Sequence, residues 1–254
     1  MGDVSDYDPL INALVDAEKI AVLTGAGISA ESGIPTFRGE EGLWRQYRAE
    51  QLATPGAFAS NPKLVWEWYN WRRGIIGSKK PNLGHSVLAK WGEIFSDFHI
   101  ITQNIDGFHR KAESRDILEL HGNIWKVRCT GEGTVSDNHD VPLKEIPPTC
   151  PSCGAMQRPH VVWFGESLDM GIINQAMRLS SDCDIMFIIG TSAVVQPAAS
   201  LPLTAREAGA KLVEINPDPT PLSAVADFSY RGKAGKILPA IDRELDRILR
   251  HERN

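Results

Sequence analysis

No stretch of this chain approaches the roughly 20 consecutive apolar residues that a membrane-spanning helix requires, so no such helix is expected. The N-terminal MGDVSDYDPL has no basic start, apolar core or small-residue cleavage site. Asp6 also stands where a myristoylation motif needs Ser or Thr. Cysteine is scarce: four residues without an export signal predict a reducing compartment and thiols for metal binding or structure, not disulfides. Positive charge is not in excess either. A formal net charge of -5 argues against direct nucleic-acid binding, although a basic protein tail stays open as a substrate. Repeats and low-complexity tracts are absent. The chain is expected to be a cytoplasmic protein with no membrane partner.

What the chain does have is alternation. Apolar runs at 20–23, 99–102, 117–120, 185–189 and 211–215 read as buried strands, and helical patterns at 62–76, 86–91, 172–179 and 202–208 lie between many of them. This predicts an α/β fold, a Rossmann-like parallel sheet with helices on both faces. Over 254 residues it makes one catalytic-size domain, whose large part takes in about 10–33, 81–125 and 160–245. The pattern breaks at 126–159, where Cys, Pro and small polar residues dominate. That segment, with 34–80, reads as a small inserted module, helical and zinc-ribbon-like.

In such sheets ligands bind beyond the carboxyl ends of the strands. Polar clusters stand there in this chain. After the first run comes Gly25-Ala26-Gly27, with Ala30 completing the looser form of a dinucleotide-binding pattern, whose glycines let backbone N–H groups approach a pyrophosphate. A tight turn that binds nothing would read the same. Ser29, Ser32, Gly33, Pro35, Phe37 and Arg38 follow, and Gly33 with Pro35 must end the helix early. Gln103, Asn104 and Asp106 offer amides and a carboxylate suited to ribose hydroxyls and a carboxamide, or to a turn. His121 is a general base at neutral pH or a structural histidine. Gly190-Thr191-Ser192 suits phosphate or ribose, and Asn216 suits an adenosine ribose. An acid about 20 residues after the glycines, as in hydride-transfer enzymes, is not found at a strand end; Glu40 and Glu41 come earlier and follow no strand.

GAGISAESGIPTFRG, TQNID, LELHGN, HVVWFGE, GTSAVVQPA and INPD stand in the order and spacing of the sirtuins, NAD-dependent protein deacylases, and the resemblance runs from about Leu14 to Leu238. It implies that NAD is a co-substrate. The carbonyl oxygen of an acylated lysine attacks the nicotinamide ribose, nicotinamide leaves, and an imidate forms. With His121 as base and Asn104 beside it, the acyl group then passes to ADP-ribose and lysine is freed. The resemblance assigns the cofactor to Gly25, Ala26, Gly27, Ser29, Ala30, Pro35, Phe37, Arg38, Trp44, Gln103, Asn104, Ile105 and Asp106. It adds Gly190, Thr191, Ser192, Asn216, Pro217, Asp218 and Ala234. Val161, Val162, Trp163, Phe164, Gly165 and Glu166 would pair as a strand with an acyl-lysine protein substrate. An NAD hydrolase or ADP-ribosyltransferase on the same scaffold, or a non-catalytic NAD sensor, stands as the alternative.

Tyr69 and Arg72, at i and i+3, share a helix face and match the sirtuin subgroup that removes succinyl, malonyl or glutaryl groups. A guanidinium can grip a terminal carboxylate in two-pronged fashion. Ala53 matches a small residue that leaves room for a longer acyl chain. Trp66, Trp68 and Trp71 on the same helix read as core. Sirtuins hold structural zinc with two Cys-x-x-Cys pairs. Here Cys150 and Cys153 form one pair, but Cys129 is followed by Glu132 where the second cysteine belongs. Glu132 or His139 as fourth ligand, or a site without metal, all stay open. Cys183 reads as a structural thiol.

Overall fold

The computed structural model describes residues 7–35 and 52–251. Six strands form an all-parallel sheet: β1 (Lys19–Thr24), β2 (Asp97–Thr102), β3 (Ile117–Glu119), β7 (Ile185–Ile189), β8 (Lys211–Asn216) and β9 (Phe228–Arg231). Their spatial order is β3-β2-β1-β7-β8-β9. The chain fills one side of β1 and then crosses to the other, so the order reverses between β1 and β7. A crevice opens at that reversal, beyond the strands' carboxyl ends.

Both faces of the sheet are buried, which is why its central strands read as unbroken apolar runs. Alternate residues point to opposite layers. Ile20 and Val22 of β1, with Ile185, Phe187 and Ile189 of β7, meet α1 (Asp8–Asp16), α5 (Leu83–Ile94) and α9 (Ala234–His251). Ala21 and Leu23, with Met186 and Ile188, meet α7 (Met170–Asp182) and α8 (Leu201–Glu207). α2 (Ala26–Ala30) is a single short turn after β1, as Gly33 and Pro35 require.

A second, three-stranded antiparallel sheet has the order β5-β4-β6, from β4 (Gly122–Cys129), β5 (Val135–Asp137) and β6 (Gln157–Val161). α3 (Pro55–Ser60) and α4 (Pro62–Gly77) pack beside it, and α6 (Phe108–Lys111) follows β2. α4 starts where Asn61 accepts the Leu64 N–H at 3.0 Å and Pro62 takes a first-turn position that needs no donor. It is bound to the small sheet by polar anchors inside an apolar cluster. Trp66 Nε1 donates to the Gln157 carbonyl at 2.8 Å, and Arg73 donates to the Ile124 carbonyl at 2.9 Å and to Asn138 at 2.8 Å. Burial pulls the Arg73 guanidinium down to about 10. Trp66 and Trp68 are core as the sequence suggests, whereas Trp71 is 42 % exposed, on the outward face of α4.

Candidate functional site

The crevice is a cavity of about 1100 Å³ whose wall collects most of the strand-end residues singled out in the sequence. Its floor is the meeting of two glycine turns. Gly25 N–H donates to the Ile189 carbonyl at 3.0 Å and Gly27 N–H to the Gly190 carbonyl at 2.8 Å. A Cβ on Gly27 would lie 2.6 Å from the Gly190 Cα, and one on Gly25 would lie 2.7 Å from the Thr191 Cβ. The sequence suggested glycines that make way for a ligand. In the structure they also make way for each other, bringing the β1 and β7 turns into one surface with Ala26 and Ala30 on the wall.

On one side stand Gln103, Asn104 and Ile105, delivered by the end of β2, with His121 from the end of β3. Gln103 Nε2 donates to the Thr191 hydroxyl at 2.9 Å and Asn104 Nδ2 to the Gly25 carbonyl at 3.0 Å. The Gln103 carbonyl takes the His121 Nδ1 proton at 2.8 Å. This fixes the neutral tautomer and leaves Nε2 as the basic nitrogen. Burial lowers the His121 pKa, against a smaller upward pull from the Gln103 carbonyl.

Ser29 and Asp106 lie behind this wall. The Ser29 hydroxyl donates to Asp106 at 2.7 Å, and the Phe108 N–H donates to the other Asp106 oxygen at 2.8 Å. Burial raises the Asp106 pKa despite those bonds and the nearby Arg72. His85 approaches Ser29 at 3.4 Å, and burial lowers its pKa to about 4. On the far side, Gly190, Thr191, Ser192, Asn216, Pro217, Asp218 and Ala234 line the cavity, and Asn216 Nδ2 donates to the Thr191 carbonyl at 3.2 Å. Pro35 is described but lies off the wall. Phe37, Arg38 and Trp44 lie outside the described residues.

Ala53, Tyr69 and Arg72 meet at the other end of the cavity with Val161, Val162, Trp163, Phe164, Gly165 and Glu166. Tyr69 is 2 % and Arg72 6 % exposed, and the guanidinium lies 5.7 Å from the phenol ring and 4.8 Å from the Trp68 ring. Burial lowers the Arg72 pKa, and Tyr69 and Asp106 act the other way. Of 161–166 only Val161 belongs to a strand. The continuation turns at Phe164 and Gly165, where the Glu166 N–H donates to the Trp163 carbonyl at 3.0 Å. Its Val162 N–H donates to the His121 carbonyl and its Phe164 N–H to the Ala53 carbonyl, each at 2.9 Å.

Two carboxylates were not singled out in the sequence. Glu214, 0 % exposed in β8, accepts from Ser223 at 2.6 Å, Arg231 at 2.7 Å and Thr220. A buried charge is tolerated only when saturated in this way. Burial pushes its pKa up, but these bonds outweigh it and hold the carboxyl below its usual value. They also tie the loop that carries Pro217 and Asp218 to the sheet. Glu31 accepts the Gly235 N–H at 2.6 Å, joining α2 to α9. The signal for Glu214 is an acid inside an otherwise apolar run.

Away from the cavity, Cys129, Glu132, Cys150 and Cys153 present four ligand atoms within 4.8 Å of one another. Cys129 and Cys153 sulfurs are 3.5 Å apart, and Cys150 Sγ is 4.0 Å from Glu132 Oε2. Zinc–sulfur bonds of about 2.3 Å give tetrahedral edges of about 3.8 Å, so the set fits zinc. His139 is elsewhere, its ring stacked on Trp125 with centroids 5.8 Å apart. That corrects His139 as a fourth ligand and leaves Glu132. Glu132→Cys should therefore tighten zinc at least tenfold in a chelator competition, thiolate being the preferred structural ligand. An unchanged affinity would remove Glu132 from the site. Cys183 Sγ donates to the Ser180 carbonyl at 3.3 Å, and burial pushes this thiol up to about 12, as suits an inert structural residue.

Residues 25–197 match the model of the Sir2 family. An NAD-dependent protein deacylase of Aquifex aeolicus is 54% identical over 222 residues, which cover 87% of this chain and 93% of that protein. One from Pyrococcus furiosus is 48% identical over 240 residues, with 92% and 96% covered. Among solved structures, a Sir2 homologue in complex with NAD superposes with a TM-score of 0.91 at 44% identity, covering 98% of this chain and 96% of that one. A Sir2 complex with a p53 peptide and NAD+ gives 0.84 at 33% identity, with 94% and 98% covered.

Proposed function

We propose, for a chain that belongs to the Sir2 family and is an NAD-dependent protein deacylase, a preference for lysine acyl groups that end in a carboxylate, succinyl and malonyl, with acetyl also accepted. The observation that carries the preference is the pairing of the buried Arg72 guanidinium and Tyr69 phenol on α4, facing the cavity beside the small Ala53. A buried cation attracts a carboxylate more strongly than one in water does. The planar guanidinium offers two parallel donors and the phenol a third.

NAD, when bound, supplies the ribose that accepts the acyl group and releases nicotinamide. The protein's own residues do the rest. Ala26, Thr191 and Ser192 offer backbone and hydroxyl groups to the pyrophosphate on a surface that Gly25, Gly27, Ala30 and Gly190 shape. Asn216, Pro217, Asp218 and Ala234 enclose the adenosine end. Gln103, Asn104, Ile105 and Asp106 orient the nicotinamide ribose and its carboxamide, with Ser29 holding Asp106. His121 takes a ribose hydroxyl proton on Nε2. Residues 161–166 receive the substrate backbone, and Pro35, Phe37, Arg38 and Trp44 contribute to cofactor binding. The small module comprises 34–80 and 126–159, and the large part 10–33, 81–125 and 160–245. All four cysteines are thiols, three of them gathered with Glu132, which supports a reducing, cytoplasmic setting. The net charge of -5 supports protein tails, not nucleic acid, as partners.

Arg72→Met keeps much of the side-chain length and removes the charge. It should lower kcat/KM for a succinyl-lysine peptide about a hundredfold, the scale of a lost charged hydrogen-bond pair, and cost an acetyl-lysine peptide far less. Equal losses on the two peptides would end the preference for negatively charged acyl groups.

A further inference from the structure

One side chain at the acyl end acts through another. The Tyr69 hydroxyl accepts a hydrogen bond from the Trp163 indole Nε1–H at 2.9 Å, and this is its one hydrogen bond among the described residues. A phenol oxygen has a single proton to give, and an indole nitrogen can only donate. With the indole N–H directed at the oxygen, the phenol proton must point away from Trp163. Arg72, whose guanidinium lies beside the phenol ring, has donors alone and cannot receive it, and the Glu166 carboxylate is engaged by Arg158 and the Trp163 backbone N–H.

Trp163 is held firmly enough to impose that choice. Its ring is 3 % exposed, with the Arg158 guanidinium 3.6 Å from the ring centroid and Phe58 5.2 Å away. Glu166 takes both ends of that guanidinium, at 2.6 and 2.9 Å, and accepts the Trp163 backbone N–H at 2.9 Å. A two-pronged ion pair thus clamps the cation that covers the indole, and the same carboxylate fixes the indole's backbone. Tyr69, Arg72 and Trp163 all line the cavity beside Ala53.

We propose that Trp163 is a specificity-positioning residue, whose indole N–H turns the Tyr69 O–H toward the terminal carboxylate of the acyl chain. This rests on the preference for negatively charged acyl groups proposed above. Without the indole N–H the hydroxyl rotates freely and its hydrogen bond to the carboxylate is no longer pre-aimed. An acetyl group has no carboxylate to receive that proton, so it senses Trp163 only through packing.

The test measures kcat and KM of the full chain with NAD on succinyl- and acetyl-lysine peptides for wild type, Trp163→Phe, Tyr69→Phe and the double variant. Trp163→Phe keeps an aromatic ring and loses the donor. The succinyl-to-acetyl ratio of kcat/KM should fall about tenfold, chiefly through KM for the succinyl peptide. Tyr69→Phe should lower it by a similar factor, and the double variant should fall no further than either. A general packing defect would instead lower both peptides together. An unchanged ratio in Trp163→Phe, or losses that multiply in the double variant, would overturn the role of Trp163 alone. A wild type that releases no succinyl group would overturn the acyl preference and this role with it. Should Trp163→Phe not fold, the Trp163 indole N–H resonance followed by NMR gives the answer in folded protein. It should move in Tyr69→Phe and on adding succinyl-lysine peptide to wild type; a resonance unmoved by both overturns the proposal.

Discussion

Replacing His121 with alanine lowers deacylation about a thousandfold, the usual range for loss of a positioned general base, and leaves thermal unfolding nearly unchanged. The size follows from how the imidazole is held. Its Nδ1 proton is committed to the Gln103 carbonyl at 2.8 Å, so the ring enters the reaction as one tautomer with Nε2 basic. Water in the space left by alanine has neither that basicity nor that orientation. The mild structural effect follows from the same geometry, because His121 is only partly buried and lines the cavity with Gln103, whose carbonyl it leaves. Acidity supplies an independent check. Burial lowers the His121 pKa, so the neutral base persists to lower pH than an exposed histidine would. The acid limb of kcat/KM should accordingly have its midpoint below about 6.5. A midpoint above that value, or turnover in His121→Ala within tenfold of wild type, would remove His121 from the role of base.

Gly190→Ala should be among the most destabilising single-methyl additions in the chain, costing about 3–5 kcal/mol and lowering the melting temperature by about 10 °C. Gly190 has φ of +60°, and a Cβ there would sit 2.4 Å from the Ile28 nitrogen and 2.7 Å from the Gly27 carbonyl carbon. Both are backbone atoms on the turn after β1, so no side chain can rotate aside. Relief requires the β1 and β7 turns to part, which breaks the 2.8 Å hydrogen bond from Gly27 to the Gly190 carbonyl and deforms the surface proposed for the pyrophosphate. NAD affinity should therefore fall together with stability. Gly209→Ala is the control. Its φ of +100° is more unfavourable to alanine than the +60° of Gly190, but nothing lies within 4 Å of the added carbon. Equal melting temperatures for the two variants would show that dihedral strain, and not the meeting of the turns, governs Gly190.

The contrast also marks where the sequence stops being legible. The central strands could be read because a parallel strand buried on both faces must be an apolar run, and 20–23 and 185–189 are such runs. β9 could not: Phe-Ser-Tyr-Arg is short and half polar, as an edge allows. α9 is not among the helical patterns read from the sequence; it carries Gly235 and Pro239, and its buried Leu238, Ile241 and Leu245 hold eighteen residues in one helix. The placement of Gln103, Asn104 and His121 at one crevice was legible because residues just after the buried strands of a parallel sheet share its carboxyl edge. Glu214 was not, since its partners Thr220, Ser223 and Arg231 come from a loop and a strand that only the fold brings back to it. The glycines were half legible, because sequence can say that backbone comes close there but not to what.

The strand order carries a further consequence, for how copies of the chain meet in concentrated solution. An open sheet offers its unbonded backbone edges to any other chain, and long flat edges invite association and fibre growth. Here the two edges are the shortest strands of the sheet, three residues in β3 and four in β9. β9 also bears Arg231, drawn to the buried Glu214. A passing strand finds too few backbone groups in register to hold it, so the long central strands that build the crevice are kept away from self-association by their own neighbours.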